Sequence, residues 1–242
     1  VTPNDQQTVD EMRRWLLQEK RTQMWDTPIN SVNAIYAFLN DNQQTLNTQG
    51  APSVLAIDGT PVETPKATAG LGYVKTAIQE PKGQTFTATK TSESTSWGAV
   101  YAQFFQKTSE VEQLQSGISV KREVLSGAKP LATGELKVGD RIKIRITIEC
   151  SRDLDFVQVV DRRAACMEPL KQLSGYQNGA YVSPKDYATN YYYFGLSKGK
   201  HVIETEYYID RAGKYLSGTC TVQCAYAPEY SGRAIPVEVN VQ

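Results

Sequence analysis

The sequence predicts a mainly β chain in which antiparallel β-sandwich domains follow an N-terminal helical hairpin. Two observations lead to this prediction. The first 47 residues repeat their apolar side chains every three or four positions, whereas beyond Gly50 the repeat shortens to two. Short strands then follow one another with polar turns between them, and no helical pattern supplies the crossovers of a parallel sheet.

The helical part begins with an amphipathic segment from about Gln6 to Arg21. A second helix starts at Thr27 and Pro28, where a hydroxyl caps the helix and proline takes a position that needs no N–H donor. The helices are predicted to pair as a hairpin, and their outer apolar surfaces need a further layer. The apolar stripe of the first helix consists of Val9, Met12, Trp15 and Leu16, and the predicted buried side of the second helix consists of Ile29, Val32, Ile35, Phe38 and Leu39.

The strands are predicted from alternation. The clearest is the run from Arg141 to Cys150, with isoleucines and a cysteine on one face and polar or charged residues on the other. Asp58-Gly59 predicts a tight hairpin, because glycine tolerates a positive φ. The polar segment from Glu110 to Gly117 is expected to connect two β units. Other predicted strands are 54–57, 73–78, 85–89, 97–105, 201–209, 218–226 and 235–241.

Composition limits the classes of function. The 242 residues suffice for one or two domains at roughly 150 residues each, and an apolar content of 40% excludes intrinsic disorder. Basic and acidic residues number 26 each, so no basic field attracts nucleic acid. The longest apolar run, from Ala34 to Leu39, is too short to cross a bilayer. The chain begins with Val1 and shows no targeting signal, which predicts a fragment of a longer protein.

No catalytic, cofactor or metal site is predicted. The one histidine, His201, lacks a nucleophile-elbow serine and is interpreted as a residue at the rim of a core face. The carboxylate pairs at Glu204 and Glu206, and at Asp153 and Asp155, are expected on solvated faces.

The four cysteines are Cys150, Cys166, Cys220 and Cys224. On one strand, Cys220 and Cys224 would lie roughly 13 Å apart, too far for a disulfide. They are expected to share a buried face with Val222 and Tyr226. Reduced core thiols are the favoured interpretation, and a cross-strand disulfide such as Cys150 with Cys220 stays open.

Tyrosine is abundant, and the run Tyr191, Tyr192, Tyr193, Phe194 must place rings on both faces of a strand. Such exposed rings indicate a contact with another domain or partner, or a strand covered by its own loops. Aromatic platforms also bind sugars, so a carbohydrate-binding module stays open as well.

The C-terminal half carries motifs that resemble the last domain of bacterial alpha-2-macroglobulin-like proteins. They are the stretch DFVQVVDRRAACMEPL, in which a strand runs into an Asp-Arg turn, and the later AYAPEYSGR. The segment from Leu196 to Tyr208 is similar to a strand-turn-strand of that domain. The signature positions, to which the resemblance gives a structural role, are Asp161, Arg162, Glu168, Tyr226, Pro228, Glu229, Gly232 and Arg233.

The resemblance extends to the order of parts. Residues 1–47 resemble the last helices of the α/α-toroid domain, residues 48–108 occupy the place of the CUB-like β region, and residues 109–242 that of the terminal macroglobulin-like β-sandwich. The family traps proteases after a bait segment is cut, and many members carry a thioester formed by Cys-x-Glu-Gln. Here Cys166-Met167-Glu168-Pro169 ends in proline, so no thioester forms within this chain.

The resemblance implies a non-enzymatic, structural and interdomain C-terminal portion of a bacterial protease inhibitor, with no cofactor. The implied partners are the other domains of the parent chain and, through the full-length protein, proteases. Nucleic acid binding and membrane insertion by this fragment are not expected. The parent is expected in the periplasm or cell envelope, with a lipoprotein as one form. The alternative is a secreted glycan-binding or adhesin β-sandwich module.

Overall fold

The computed structural model describes residues 5–39, 53–65, 74–79, 83, 85–91, 98–127, 129–131 and 135–242. Two helices come first, α1 (Gln6–Thr22) and α2 (Pro28–Leu39), and a 3-10 turn spans Thr108–Glu110. The strands are β1 (Val54–Ile57), β2 (Thr60–Pro61), β3 (Phe86–Thr89), β4 (Leu114–Ser116), β5 (Ile118–Ser126), β6 (Lys129–Pro130), β7 (Glu135–Leu136), β8 (Arg141–Cys150), β9 (Leu154–Arg162), β10 (Met167–Pro169), β11 (Gly175–Gln177), β12 (Ala180–Pro184), β13 (Ala188–Leu196), β14 (Gly199–Ile209), β15 (Gly213–Leu216), β16 (Cys220–Cys224), β17 (Ser231–Ala234) and β18 (Glu238–Val241). The predicted fold class, mainly β with two N-terminal helices, is confirmed.

The described strands form four sheets. The two large ones are a five-stranded sheet in the order β10-β14-β8-β5-β6 and a seven-stranded sheet in the order β11-β12-β13-β9-β16-β17-β4. The small sheets have the orders β2-β1-β3 and β15-β18-β7. Pairing among these strands is antiparallel except between β18 and β7.

A shared apolar core joins the two large sheets into a sandwich. The four isoleucines of β8 alternate inward and are at most 2% exposed, as their spacing predicts. Val157 and Val159 of β9 and Val222 of β16 face the same core from the seven-stranded sheet. Burial of each such side chain contributes about 1.5–3 kcal/mol. The core is therefore built from the alternating positions of the long central strands.

The residues group into two compact units. One holds the end of α1, Leu17–Met24, together with Gln103–Gln242, which contains the sandwich. The other holds the start of α1 and the described residues between 25 and 102, with α2 and the sheet β2-β1-β3. Among the described residues, no helix is long and apolar enough to cross a membrane.

In the unit that contains α2, the hairpin prediction is confirmed, since Asp58 and Gly59 have positive φ between β1 and β2. Two strand predictions are wrong: residues 74–78 and 98–105 contain no strand, and Tyr73 and Trp97 lie outside the described residues. Alternation is a local property, whereas a strand also needs a neighbour to accept its hydrogen bonds.

The apolar stripe of α2 was expected on a buried side, yet Ile29, Val32 and Ile35 are each more than half exposed. The periodicity predicts the helix correctly. It does not supply the layer that would cover that stripe.

Four corrections concern the sandwich. The polar segment 110–117 contains strand β4. Asp161 and Arg162 end β9 instead of forming a turn. Strand β16 ends at Cys224, which leaves Tyr226 exposed in the following loop and not on the buried face. The last strand begins at Glu238, later than predicted, after Pro236, which has no N–H for a ladder.

Candidate interdomain surface

The end of α1 contacts the loop that joins β16 to β17. Gln18 Nε2 donates a hydrogen bond of 2.8 Å to Tyr230 Oη. Arg21 Nη2 lies 2.7 Å from Glu229 Oε2, and both side chains of this ion pair are nearly half exposed. We call this group of contacts, with those of Arg152 and Asp155 below, the helix-end contact. It is polar and partly exposed to solvent.

Residues on the strand side complete the helix-end contact. Arg152 Nη2 forms an ion pair with Glu19 Oε1, and its guanidinium carbon lies 5.8 Å from the centre of the Tyr230 ring. Asp155 Oδ2 accepts a hydrogen bond of 2.6 Å from the backbone N–H of Met24, which lies just after the C-terminal end of α1. Arg152 therefore contacts both α1 and the loop between β16 and β17.

The loop between β16 and β17 is held from within. The backbone N–H of Tyr230 donates to the carbonyl of Ala227 (2.9 Å), and Cys224 N–H donates to the carbonyl of Tyr230 (3.0 Å). Ala227 is fully buried. These bonds form a tight turn that fixes where Glu229 and Tyr230 stand on the surface.

Three aromatic rings lie beside the same loop. The Phe156 ring centre is 5.5 Å from that of Phe194 and 5.3 Å from that of Tyr226, and the latter two rings are about two-thirds exposed. Phe156 has a φ of 56°, a conformation that is costly for an aromatic residue. The rings thus form an apolar cluster on the surface beside the loop between β16 and β17.

The other signature residues of the loop region lie on or near β17. Arg233 Nε donates to the carbonyl of Glu112 (3.0 Å). Gly232 packs so closely on β5 that a Cβ there would lie 2.7 Å from the carbonyl oxygen of Ile118. Glu168 is remote, on β10 at the far edge of the five-stranded sheet. The signature is thus divided among several places, and a common role for it stays a prediction.

Asp161 is fully buried and faces the opposite sheet. Its Oδ1 lies 2.9 Å from Arg122 Nε, and both side chains are excluded from solvent. The Arg122 N–H does not point at the carboxylate, so neither Asp161 oxygen accepts an aligned hydrogen bond from a described residue. Burial raises the pKa of Asp161, while the positive charges of Arg122 and Arg163 oppose that rise.

Arg122 is a buried charged residue that links the two sheets. From β5 its Nη1 donates to Ser217 Oγ (2.6 Å) and to the carbonyl of Gly218 (3.1 Å), while Nη2 donates to the carbonyl of Arg162 (3.2 Å). Arg122 is not among the residues singled out from the sequence. Its position two residues after Val120 places it on the buried face, and a charged residue there was the available signal.

The remaining candidate groups do not converge on a reactive site. His201 Nε2 donates to the carbonyl of Ser197 at 2.7 Å. Glu204 pairs with Lys143 and Arg145 on an exposed sheet face, and the hydrogen bonds from these two residues lower its pKa. Asp153 accepts a bond from the backbone of Lys198. Among the described residues, no group of histidine, cysteine and carboxylate side chains could hold a metal ion.

The four cysteines are free and buried. Burial raises the pKa of the Cys150 thiol to about 11, so this thiol stays protonated and unreactive at neutral pH. The favoured interpretation as core thiols fits this arrangement, and the alternative pair of Cys150 with Cys220 is not bonded.

Comparisons with known proteins match part of the chain. Residues 117–229 match the family model described as the bacterial alpha-2-macroglobulin MG10 domain. A comparison with curated proteins by sequence gives no match.

Solved structures of bacterial alpha-2-macroglobulins are similar to this chain. Native alpha-2-macroglobulin of Escherichia coli has a TM-score of 0.49 and 16% identity over 55% of this chain and 10% of the other. The Salmonella Y1175G mutant has a TM-score of 0.47 and 15% identity over 54% and 10%. An E. coli structure from domain MG7 to the C-terminus has a TM-score of 0.47 and 14% identity over 55% and 25%. The chain thus spans a quarter or less of the length of these proteins.

Proposed function

We propose that the chain, of which residues 117–229 match the family model of the bacterial alpha-2-macroglobulin MG10 domain, is the structural, non-enzymatic C-terminal part of a protease inhibitor of that family. The observation that carries this proposal is the helix-end contact, in which signature residue Glu229 forms an ion pair with Arg21 of α1. Interfaces between the domains of one chain are more polar than obligate interfaces, and the helix-end contact has this polar character. In this role the sandwich supplies a fixed platform, and the trapping chemistry lies elsewhere in the parent.

We further propose the division into a toroid end at residues 1–47, a CUB-like region at 48–108 and the terminal sandwich at 109–242. Solvent-exposed apolar side chains support this division. Ile29, Val32 and Ile35 on α2 and Phe104 and Phe105 before the sandwich are all more than half exposed. Such surfaces call for further layers of protein. Upstream parts of the parent chain are the proposed source.

The periplasm or cell envelope is the proposed location of the parent, a lipoprotein being one form of it. The proposed partners follow from the same role: the other domains of the parent bind this chain, and proteases bind the full-length protein. The match of residues 117–229 to the bacterial MG10 family model supports the proposed location and the proposed partners.

Protease trapping is tested with the protein encoded by the complete reading frame. After incubation with trypsin, the trapped protease is expected to cleave a small chromogenic peptide while losing most of its activity on casein. The 242-residue chain alone is expected to leave both activities unchanged and to hydrolyse neither substrate. Equal trypsin activity on casein with and without the complete protein would contradict the proposal.

The helix-end contact gives a prediction for the chain itself. Arg21→Glu places two carboxylates together and is expected to speed hydrogen exchange in residues 17–24 by up to about fivefold, since exposed pairs contribute at most about 1 kcal/mol. The double variant with Glu229→Arg is expected to restore slow exchange, and salt should reduce both effects. Hydrogen exchange followed by mass spectrometry measures this.

Arg145→Glu is the matched control, because Arg145 also lies 2.7 Å from its glutamate partner and is 39% exposed, against 41% for Arg21. It should leave exchange in residues 17–24 unchanged. Slow exchange retained in Arg21→Glu would show that the ion pair does not hold the helix end.

A further inference from the structure

The outer faces of the sandwich differ in chemistry. On the five-stranded sheet the outward positions form ion pairs, such as Glu204 with Lys143 and Arg145. On the seven-stranded sheet the outward positions of β11 to β13 carry tyrosines. The charged residues of the first face are Lys121, Glu123, Arg141, Lys143, Arg145, Glu149, Lys200, Glu204 and Glu206. The first face is typical of a solvated surface, and the second is not.

The tyrosines lie side by side in one row across the strands. Tyr176 is opposite Tyr181, Tyr181 is opposite Tyr192, and Tyr192 is opposite Gln158 on β9. Gln223 on β16 continues the row. We call these five residues the tyrosine row. Because neighbouring strands are about 4.8 Å apart, the row is about 19 Å long.

The rings of the row are accessible. Tyr176 is 77% exposed, Tyr181 38% and Tyr192 41%. Tyr176 and Tyr181 contact each other edge to face with ring centres 5.2 Å apart. Tyr191, the neighbour in sequence, points the other way and is buried, so the tyrosine run does place rings on both faces of β13.

The amides at the other end of the row are available for binding. Within the described part of the chain, the side-chain amides of Gln158 and Gln223 have no hydrogen-bond partner. Each amide offers two N–H donors and a carbonyl acceptor. All five side chains of the row are phenols or amides, which are polar groups without a formal charge.

We propose that the tyrosine row binds a neutral polysaccharide of hexoses with equatorial hydroxyls. The C–H faces of such sugar rings are apolar and stack on tyrosine, while their hydroxyl edges bond to amides and phenols. The absence of charge in the row matches a ligand without charge, and its length accommodates several successive sugar rings. This binding site is independent of protease trapping and of the helix-end contact.

Affinity electrophoresis of the full chain in gels with laminarin or barley β-glucan tests the proposal. The chain is expected to be retarded by one of these polymers, and Tyr181→Ala and Tyr192→Ala are each expected to weaken retardation about tenfold. Tyr192→Phe keeps the ring and should keep most of the binding. Tyr208→Ala is the matched control, because Tyr208 is also 38% exposed but lies on the charged face.

Far-UV circular dichroism of each variant shows whether the sheets are retained, and Tyr192→Phe still reports on the row if an alanine variant unfolds. Three results would overturn the proposal. The first is no retardation of the wild-type chain by either neutral polymer. The second is stronger retardation by anionic polygalacturonate. The third is a wild-type dimer that Tyr192→Ala disperses, because the row would then be a protein interface.

Discussion

Replacement of Arg122 by methionine is expected to lower the free energy of unfolding of the sandwich by about 3–5 kcal/mol. The methionine side chain fills much of the space, but it removes the cation that faces Asp161. It also leaves Ser217 Oγ and the carbonyls of Gly218 and Arg162 without their donor. An unpaired buried charge and unsatisfied acceptors both cost free energy.

Urea denaturation followed by far-UV circular dichroism measures this loss, and hydrogen exchange in β8 assigns it to the sandwich. All three tryptophans, Trp15, Trp25 and Trp97, precede the sandwich, so tryptophan fluorescence would not report on it directly. Arg145→Met is the control, since it breaks an ion pair that is 39% exposed and should cost less than about 1 kcal/mol. Equal losses in the two variants would contradict the inter-sheet role of Arg122.

The loss caused by Arg122→Met also depends on pH. Burial raises the pKa of Asp161 above its ordinary value of 3.8, and Arg122 opposes the rise. Without Arg122 the folded-state pKa rises further, while the unfolded-state pKa does not change. The folded variant therefore takes up a proton as pH falls, and the neutral carboxyl no longer needs a cation. The destabilisation is expected to be largest at neutral pH and to shrink as pH falls through the folded-state pKa.

Adding Asp161→Leu to Arg122→Met is expected to recover much of the lost stability at neutral pH, because both partners of the buried pair are then apolar. This double variant separates the charge from the shape of the site. If it were no more stable than Arg122→Met alone, the lost hydrogen bonds to Ser217 and the backbone would account for the whole effect.

The sequence predicts the parts of the fold that depend on alternation over many residues. Strands β8 and β14 are long and have one face in the core, so their period is unmistakable, and the side of each isoleucine follows from it. The tyrosine run is predictable for the same reason. In each case a single physical property, burial of every second residue, determines both the element and its orientation.

Other parts depend on contacts that no local pattern contains. Residues 98–105 are predicted as a strand from their sequence pattern, yet they form none, because a strand forms only against a neighbour. Tyr101, Phe104 and Phe105 of this segment are exposed. The helix-end contact joins Arg21 to Glu229, more than two hundred positions away. In the sequence, only the family resemblance singles out Asp161. Its burial opposite Arg122 requires the two sheets to be stacked.

Gly232→Ala is expected to lower the free energy of unfolding by about 1–3 kcal/mol. A Cβ at Gly232 would lie 2.7 Å from the Ile118 carbonyl oxygen and 2.7 Å from Val120 Cγ2, and the backbone oxygen cannot move without disturbing β5. Gly175→Ala is the matched control: Gly175 is also a strand glycine without positive φ, and a Cβ there meets nothing within 4 Å. It should change stability by less than about 0.5 kcal/mol.

The same substitution tests whether the sandwich positions the helix-end contact. If β17 moves away from β5 to make room for the methyl group, it displaces Tyr230, which lies two residues before Gly232 and accepts a hydrogen bond from Gln18. Hydrogen exchange in residues 17–24 is therefore expected to increase in Gly232→Ala and to stay unchanged in Gly175→Ala. A loss of stability without faster exchange there would mean that the packing of β17 on β5 supports the core but does not position the loop that binds α1.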